Sequence, residues 1–213
     1  MPSGKSISRL SLYRRILERF QQSGVENVYS HQLAAHASVT SAQVRRDLMA
    51  VGYSGSPNRG YDVARLLESV GEFLDPPTAE KVALVGVGNL GRAILAYFHG
   101  RRAKLTITAA FDSDERKTGR VIHGCRCYPM EQMAEIIAAE GIAIGVVAVP
   151  AEAAQEVTDA LVRAGVRGIL NFAPTPLRAS GGVFVEDIDM TMALEKVAYF
   201  ARTSAPATKE ARP

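Results

Sequence analysis

The chain has 213 residues, 47% of them hydrophobic, and a formal net charge of +3. This length suits two domains with ordinary hydrophobic cores better than one domain or three. No stretch approaches the roughly 18 to 20 uninterrupted apolar residues of a membrane span, and the first residues lack the apolar block of a secretory signal, so we expect a cytoplasmic protein with no membrane partner.

The basic residues are concentrated near the amino terminus. Residues 1–60 contain eight Lys and Arg side chains and three acidic ones, a net charge of +5, whereas the rest of the chain has a net charge of −2. A basic domain joined to a nearly neutral one is typical of a DNA-binding protein, although a solvated basic surface gives the same count.

Three helices are predicted in the first fifty residues. Apolar residues recur at helical spacing over residues 10–20, and this first helix ends near Gly24. Ser30 can cap a short second helix. Thr40 and Gln43 fit a capping box, in which their side chains satisfy free backbone amides at the start of a third helix.

The third helix has one apolar side, formed by Val44, Leu48 and Val51. The residues of its first turns that then face outward are Gln43, Arg45 and Arg46. In the major groove of DNA, Arg pairs with guanine and Gln with adenine, so these residues suit a recognition helix. On these three residues alone, a solvated helix surface is an equally good interpretation.

A β-hairpin is predicted behind this helix. The turn of segment 53–63 is rich in Gly, Pro and Asn and carries Arg59 at its tip. A helix-turn-helix followed by a basic hairpin is a winged helix, whose wing can enter the minor groove or hold phosphate. The residues predicted to contact double-stranded DNA are Ser41, Gln43, Arg45, Arg46 and Arg59.

A domain boundary is predicted after a further helix over residues 64–73. The segment Asp75-Pro-Pro-Thr78 follows it, and two prolines resist helix and strand alike. The chain is therefore divided into a winged-helix DNA-binding domain over residues 1–77 and a second domain over residues 78–188.

In the second domain, strands alternate with helices. This order predicts an α/β fold with a Rossmann-like parallel sheet and right-handed crossovers. The predicted strands are residues 82–86, 105–111, 142–149, 168–172 and 183–185, and the predicted helices are residues 89–99, 129–139 and 151–164.

Segment 86–91 matches the Gly-x-Gly-x-x-Gly fingerprint of dinucleotide-binding folds. The fingerprint is weak alone, but here a predicted strand precedes it and a predicted helix follows it. Gly86 permits a tight turn, Gly88 lets a pyrophosphate approach the backbone, and Gly91 lets the helix pack on the sheet, while helix amides hold the phosphates. The cofactor-binding residues predicted here are Gly86, Val87, Gly88, Asn89, Leu90 and Gly91.

Asp112 ends the second predicted strand of this domain, twenty-one residues after Gly91. An acid at this place can bind both ribose hydroxyls of an adenosine and repels a 2′-phosphate, which favours NAD(H) over NADP(H). Arg116 and Lys117 lie close enough in sequence to leave this choice open. The interpretation without a ligand is a glycine turn and a surface Asp, which the three matched features disfavour.

Two later strands end in residues that suit a ligand cleft. Val149 and Pro150 end one strand, and Asn171 lies at the end of the next. Ligands of open α/β sheets lie across the carboxyl ends of the strands, so these backbones are predicted to flank the nicotinamide. Pro150 and Pro174 could equally be strand terminators.

Cys125 and Cys127 are the two cysteines of the chain. Their close spacing disfavours a structural disulfide, and they form no zinc pattern without further ligands. We expect two small residues in a half-buried strand or loop, with a redox pair as the second interpretation, and we predict no metal site.

Taken together, these features make the whole chain resemble the Rex family of redox-sensing transcriptional repressors, from Ser8 to about Phe200. The most specific stretches are Ser41-Ala-Gln-Val-Arg-Arg-Asp-Leu48, Val85-Gly-Val-Gly-Asn-Leu-Gly-Arg92, Val149-Pro-Ala-Glu-Ala-Ala-Gln-Glu156 and Gly168-Ile-Leu-Asn-Phe-Ala-Pro174. The resemblance implies a protein that binds its operator when NADH is scarce and releases it when NADH accumulates. It also implies that the regulated genes are respiratory and fermentative.

The resemblance further implies a homodimer whose last helix, residues 189–201, is swapped into the partner's cofactor cleft. Met190 would line that cleft, where the family often has a bulky apolar residue. The wing is poorer in Gly and Arg than the family version, which leaves operator preference open. We expect residues 202–213 to be disordered. The residues implied to exchange partners as the dimer closes are Arg15, Tyr97 and Asp189.

The main alternative is an NAD-dependent dehydrogenase with an additional amino-terminal domain. A dehydrogenase needs a substrate cavity and a proton donor near the nicotinamide. After residue 187 one helix and a tail remain, too little for a substrate domain, and His99 and His123 have no obvious partners. A nucleotide-binding or CoA-binding scaffold without DNA activity is a second alternative, against which the basic third helix argues. We therefore predict a regulator and no enzymatic activity.

Overall fold

The structure is a computed structural model that describes residues 2–56, 58–101 and 104–203. The chain divides into two compact units, Met1–Thr78 and Ala79–Pro213. The division lies beside the two prolines of the predicted boundary. Within the described ranges, no helix is both long enough and apolar enough to cross a membrane. Most of the tail expected to be disordered, residues 204–213, lies outside the described residues.

The described part of the amino-terminal unit contains four helices and two short strands. They are α1 (Gly4–Gln22), β1 (Asn27–Val28), α2 (Ser30–Ala37), α3 (Ser41–Ala50), β2 (Tyr61–Asp62) and α4 (Val63–Leu74). The apolar sides of the helices form one core because the periodicity of each sequence matches the helical turn. Its largest fully buried side chains are Tyr13, Leu10, Leu17, Leu33, Leu48 and Leu66.

The helix caps agree with the sequence in part at α3 and differ at α2. At α3, the Thr40 hydroxyl accepts a hydrogen bond from the Gln43 amide at 3.1 Å, as predicted, but the Gln43 side chain donates to Asp47 instead of completing the capping box. At α2, the prediction that Ser30 is the cap is wrong by one residue. Tyr29 occupies the cap position, and its backbone amide donates to Gln32 Oε1 at 2.8 Å. The Tyr29 carbonyl oxygen accepts from the Gln32 and Leu33 amides, in place of the expected hydroxyl.

The wing is less regular than the predicted hairpin. Within the described residues of segment 53–63, Ser56 and Gly60 form a single antiparallel bridge. The second arm, β2, pairs with β1, where Val28 lies opposite Tyr61. Gly60 permits this pairing because a Cβ there would lie 2.6 Å from the Val28 carbonyl oxygen. Residue 57 of the predicted turn lies outside the described residues.

The described part of the carboxy-terminal unit is a seven-stranded sheet with helices on both faces. In chain order the elements are β3 (Glu80–Val85), α5 (Asn89–Phe98), β4 (Leu105–Asp112), β5 (Val121–Ile122), β6 (Cys125–Pro129), a 3₁₀ helix (Met130–Gln132), α6 (Met133–Glu140), β7 (Ile144–Val147), α7 (Ala151–Arg163), β8 (Gly168–Asn171), β9 (Phe184–Asp187) and α8 (Met190–Thr203).

The sheet has the strand order β5-β6-β4-β3-β7-β8-β9. Every pair of neighbouring strands is parallel except β5 with β6, which is antiparallel. From β3 the chain first builds one side of the sheet and then returns to build the other with β7. The order of the strands therefore reverses between β3 and β7, which is where open α/β sheets bind ligands.

The strands β5 and β6 were not predicted. Both are short, and β6 contains the two cysteines, whose side chains point to the same face because strand residues alternate. Both thiols are free and lie on the buried face of a strand whose Arg126 is exposed, which agrees with the expected half-buried strand. Burial raises the pKa of Cys125 to about 12, which disfavours the reactive thiolate and agrees with a packing role.

The helix α8 contrasts with the rest of this unit. None of its residues is buried, although it carries several large apolar side chains. Asp189 precedes the helix, and its Oδ1 accepts a hydrogen bond from the Met192 amide at 2.8 Å. The exposed apolar side chains of α8 are Met190, Met192, Leu194, Val197, Tyr199 and Phe200.

Candidate functional sites

A cavity of about 760 Å³ opens where β3 and β7 end. It lies at the point where the strand order reverses, so its walls come from the loops that follow parallel strands. These loops place five of the predicted cofactor-binding residues around one space. The five are Gly86, Gly88, Asp112, Val149 and Pro150.

The three glycines of the fingerprint, which spans the loop after β3 and the first turn of α5, have different surroundings. A Cβ on Gly86, whose φ is +96°, would lie 2.4 Å from the Ala148 carbonyl oxygen, and one on Gly91 would lie 1.9 Å from the Gly86 carbonyl oxygen. These two glycines are required by the packing of the chain itself. A Cβ on Gly88 would meet no atom within 4 Å. The space above Gly88 is therefore open and can admit a pyrophosphate.

The start of α5 adds an electrostatic reason for an anion to bind there. Gly88 occupies the cap position, and no side chain caps the free amides of the first turn. Unpaired amides and the helix dipole favour negative charge at this end. Open space beside uncapped amides fits the diphosphate of a dinucleotide.

The other residues of the motif serve the fold more directly. The Val87 side chain is buried in the core, and its backbone amide points at the Asp112 carboxylate. Leu90 packs against the same core, while Asn89 is exposed. Side-chain contacts between these three residues and a cofactor stay predictions.

Asp112 is 7% exposed and has three hydrogen-bond donors within the chain. Its Oδ2 accepts from the Val87 amide at 2.7 Å and from Lys117 Nζ at 3.0 Å, and its Oδ1 accepts from the Asp114 amide at 2.9 Å. Burial alone would raise the pKa of Asp112, but the hydrogen bonds outweigh it and lower that pKa. The carboxylate is therefore ionised and held against the glycine loop.

Apolar residues line another part of the cavity. They were not among the predicted cofactor-binding residues. Ala153, Val157 and Ala160 of α7 repeat at helical spacing along one side of that helix. Met130 and Met133 lie before and at the start of α6. The sequence feature that could have identified the residues of α7 is the repeat of small apolar side chains on one side of the helix. The apolar residues suit contact with a flat ring, and the same helix also contributes the charged residues Glu156 and Arg163 to the lining.

Asn171 differs from its predicted role. Its side chain is 1% exposed, and its Nδ2 donates to the Thr175 carbonyl oxygen at 2.8 Å and to Asp187 Oδ1 at 2.7 Å. Its Oδ1 accepts from the Ala173 amide at 2.9 Å. The amide group is thus committed to the ends of β8 and β9. A contact with a nicotinamide would have to come from the backbone of this strand end.

The recognition-helix residues on α3 are not equally free. Arg45 and Arg46 are exposed, whereas Ser41 and Gln43 are half-buried. The prediction that Gln43 faces outward is wrong, because its Nε2 donates to Asp47 Oδ1 at 3.0 Å within the helix. Arg45 Nη1 donates to the Ser30 hydroxyl at 3.1 Å.

Asp47 was not identified from the sequence, yet it connects α3 to α1. The residue is 3% exposed and accepts from Arg9 Nε at 2.6 Å, from Arg9 Nη2 at 2.7 Å and from the Tyr13 hydroxyl at 3.0 Å. Burial alone would raise the pKa of Asp47, but its hydrogen bonds, chiefly those from Arg9, lower it. This ionised group holds the recognition helix in place.

The remaining predicted residues lie on exposed surfaces. Arg59 is exposed in the turn of the wing, and Arg15 is exposed on α1. Tyr97 is exposed on α5, with the Arg101 guanidinium 4.2 Å above its ring. Met190 is exposed at the start of α8. The exchange of partners implied for Arg15, Tyr97 and Asp189 stays a prediction.

No metal centre is evident in the part of the chain that the structure describes. Groups of three or more His, Cys, Asp or Glu side chains with a geometry suitable for an ion are absent from residues 2–56, 58–101 and 104–203. Two of the charged groups that line the cavity, Asp112 and Lys117, pair with each other. They suit an organic ligand rather than a bare cation.

Comparison with known families matches each unit separately. A family model described as a CoA binding domain matches residues 78–175. A second model, described as the N-terminus of putative DNA-binding proteins, matches residues 3–48.

Curated relatives match nearly the whole chain. The redox-sensing transcriptional repressor Rex of Roseiflexus sp. (strain RS-1) is 42% identical over 199 residues, which cover 93% of this chain and 90% of the relative. That of Carboxydothermus hydrogenoformans is 40% identical and covers 92% of this chain and 95% of the relative.

Solved structures of RSP, a Rex-family repressor, have a similar fold. Its complex with β-NAD⁺ and operator DNA has a TM-score of 0.88 and 30% identity, over 95% of this chain and 94% of that one. Its complex with β-NADH has a TM-score of 0.84, over 95% of both chains.

Proposed function

Because the chain belongs to the Rex family of redox-sensing transcriptional repressors, we propose that it binds operator DNA and that NADH bound in the cavity releases it. The observation that carries the proposal is the open space above Gly88, beside the uncapped amides of α5 and the ionised Asp112. The open space suits the pyrophosphate of a dinucleotide, and the uncapped amides suit its negative charge. The carboxylate of Asp112 suits the adenosine ribose.

The amino-terminal unit supports the DNA-binding half of the proposal. Arg45 and Arg46 are exposed on the capped helix α3, and Arg59 is exposed on the wing. Exposed guanidinium groups can pair with guanine in the major groove or hold phosphate. Gln43 is bound to Asp47, so Arg46 rather than Gln43 is the best candidate for reading a base. We expect a protein with this role to act in the cytoplasm, where it can reach the operator.

The redox response requires a difference in affinity between the two forms of the cofactor. When bound, the nicotinamide ring supplies that difference, because it is positively charged in NAD⁺ and neutral in NADH. An apolar enclosure penalises the charged ring by removing water from it. Val149 and Pro150 line the cavity of this chain. We expect Phe172 of this chain, together with Met190 of a partner subunit, to complete that enclosure.

A homodimer is part of the proposal, and α8 supports it. The helix exposes six large apolar side chains and buries none of its residues within the chain. Met190, Leu194 and Val197 repeat at helical spacing, so they lie on one side of the helix. An apolar helix side of this kind is stable in water when a second subunit covers it.

The dehydrogenase alternative is less well supported. A dehydrogenase positions a proton donor near the nicotinamide. The described residues that line the cavity include no His; the ionised Asp112 is engaged at the ribose end in the proposed arrangement, and the other acids of the lining are Asp114, Glu131 and Glu156. The curated relatives that match nearly the whole chain are repressors. A regulator without enzymatic activity therefore remains our proposal.

The proposal is tested by measuring DNA binding at fixed salt and fixed total nucleotide while the ratio of NADH to NAD⁺ is varied. Duplexes selected by the protein from a randomised library serve as the probe. We expect NADH to release the protein from the selected duplex and NAD⁺ to leave it bound. A protein that binds NADH and keeps the same DNA affinity would disprove the proposed control.

The variant Gly88→Val provides a matched control. Its φ is −78° and a Cβ meets no atom within 4 Å, so the fold should tolerate the side chain. The branched side chain would occupy the space proposed for the pyrophosphate. We expect this variant to bind the selected duplex normally and to ignore NADH. A normal NADH response would show that the nucleotide binds elsewhere.

A further inference from the structure

Lys117 lies inside the cavity, beside the acid proposed to bind the ribose. Its side chain is 24% exposed, and its ammonium is 3.0 Å from Asp112 Oδ2 and 3.9 Å from Asp114 Oδ2. It comes from the loop that follows β4, five residues after Asp112. A lysine in this position is part of the wall that a nucleotide would contact.

Arg116, the neighbouring cation, is placed differently. Its side chain is 87% exposed, and its guanidinium binds both oxygens of Asp114, at 2.9 and 3.0 Å. Arg116 is not among the described residues that line the cavity. The sequence left open whether Arg116 or Lys117 affects the choice between NAD(H) and NADP(H). Of these two residues, Lys117 is the one that reaches the ribose end of the cavity.

The hydrogen bonds of Asp112 leave limited capacity for a ribose. A carboxylate has about four acceptor positions, and the chain fills three of them, two on Oδ2 and one on Oδ1. One position on Oδ1 remains for a ribose hydroxyl. The ammonium of Lys117 has N–H groups beyond the one that binds Asp112. A second ribose oxygen can accept from that ammonium.

The charges around this site also balance in pairs. Asp112 is paired with Lys117, and Asp114 is paired with Arg116. A lone carboxylate would repel a 2′-phosphate strongly, but a carboxylate already paired with an ammonium repels it less. The preference for NADH over NADPH that Asp112 alone would give is therefore larger than the preference expected when Lys117 is paired with it.

We propose that Lys117 is a positioning and selectivity residue for the adenosine ribose. It holds Asp112 against the glycine loop, and its free N–H groups donate to an oxygen at the 2′ position, whether hydroxyl or phosphate. Lys117 thus supports NADH binding and narrows the preference for NADH over NADPH. This inference rests on the proposed cofactor function.

The test measures the dissociation constants of NADH and NADPH from the fluorescence of the reduced nicotinamide. One charge-assisted hydrogen bond corresponds to about a tenfold effect or more. We expect Lys117→Met to weaken NADH binding about tenfold and NADPH binding about a hundredfold, because the phosphate loses more. The preference for NADH then rises about tenfold. An unchanged preference would overturn the assignment.

Arg116→Met is the matched control, since it removes the same charge from the adjacent residue without touching Asp112. We expect it to change the preference for NADH over NADPH by less than about twofold, as an exposed ion pair contributes little. If Arg116→Met shifts the preference as much as Lys117→Met does, the effect is general charge and not a role of Lys117.

A double-mutant comparison isolates the pair. Asp112→Asn keeps the shape, removes the negative charge and leaves Lys117 unpaired, so we expect NADPH binding to strengthen relative to NADH. Adding Lys117→Met should abolish that gain. A gain that persists in the double variant would overturn the proposal.

The outcomes also separate this inference from the proposed function. A wild-type protein that binds neither nucleotide would contradict the cofactor function itself. A wild-type protein that binds NADH, with Lys117→Met unchanged in preference, would contradict only the role of Lys117. Loss of fold would weaken both nucleotides equally and would show in thermal unfolding. In that case Lys117→Arg, which keeps the charge, must retain the wild-type preference for the proposal to stand.

Discussion

At the scale of single residues, Gly88 and Gly91 belong to one fingerprint but are glycines for different reasons. The packing of α5 against the loop requires Gly91, because a Cβ there would lie 1.9 Å from a backbone oxygen. No atom of the chain constrains Gly88 in this way. The fold does not require a glycine at position 88, whereas a bound pyrophosphate would. This glycine is therefore a direct indication of ligand binding.

We expect Gly91→Ala to destabilise the carboxy-terminal unit by about 1 to 3 kcal/mol, since a backbone atom must move to admit the methyl group. Urea denaturation measures the free energy of unfolding. Gly88→Ala is the control and should unfold within about 0.5 kcal/mol of the wild type. Equal destabilisation by both variants would contradict the distinction between the two glycines.

A second effect at the scale of single residues is that the ionisation of Asp47 makes the unfolding free energy of the amino-terminal unit depend on pH. Its pKa in the folded state is below that of the unfolded state, about 3.9, because hydrogen bonds from Arg9, Tyr13 and Gln43 outweigh its burial. A depressed pKa contributes stability that is fully present above the unfolded value and is lost as the pH falls through the folded value.

We therefore expect the unfolding free energy of the amino-terminal unit to fall below about pH 4. Asp47→Asn should be less stable than the wild type near pH 7 and should show a smaller decrease in acid. Circular dichroism during urea titration at several pH values measures this. A wild type and an Asn variant with parallel pH profiles would show that the Asp47 pairing does not contribute.

At the scale of secondary-structure elements, α3 combines a buried and an exposed function. Asp47 and Leu48 attach the helix to the domain, while Arg45 and Arg46 are directed to solvent. The Gln43 side-chain amide donates a hydrogen bond to Asp47. Gln43 therefore belongs with the residues that attach the helix to the domain and not with those directed to solvent. The surface available for reading DNA is therefore narrower than the sequence suggested.

We expect Arg46→Ala to lower affinity for a selected operator by about 1 to 3 kcal/mol and to relax specificity at one base pair. Binding to operator and to random duplexes, measured at several salt concentrations, tests this. An unchanged ratio of the two affinities would show that Arg46 does not read a base. Uniform weakening with a shallower salt dependence would indicate a phosphate contact instead.

At the scale of the whole molecule, the exposed apolar side of α8 is the surface proposed to meet a second subunit. We expect Leu194→Glu to convert a dimer into monomers, because a charge on this side would be buried at the interface. Sedimentation equilibrium measures the mass. Glu195→Gln, on the adjacent exposed position of the same helix, is the control and should remain dimeric. Dimers of Leu194→Glu would place the interface elsewhere.

The proposed redox switch also belongs to the scale of the whole molecule. Near-complete switching requires about a 10⁴-fold preference of NADH for the released state, shared between two cofactors in a dimer. We expect NADH to change the radius of gyration of the dimer in small-angle scattering, and Met190→Lys to weaken both that change and the release from DNA. Release from DNA with unchanged dimensions would exclude closure as the switch.

Much of the architecture followed from local pattern. Apolar periodicity located the helices, and the strand before Gly86 with the helix after it identified the dinucleotide fold. The strands β5 and β6 were missed because each is too short to show a period, and the wing was predicted as a hairpin because its turn residues are local signals. Its second arm pairs instead with β1, some thirty residues earlier in the chain.

The sequence by itself determined the two-domain order, the glycine loop, the acid at the end of β4 and the basic helix, since these depend on neighbouring residues and their spacing. Only the tertiary structure decided which side chains are free to act. Asp47 is bound by Arg9, Asp112 by the Val87 amide, and Asn171 by Asp187. These partners are distant in sequence and are brought together by packing, so no local pattern could have identified them.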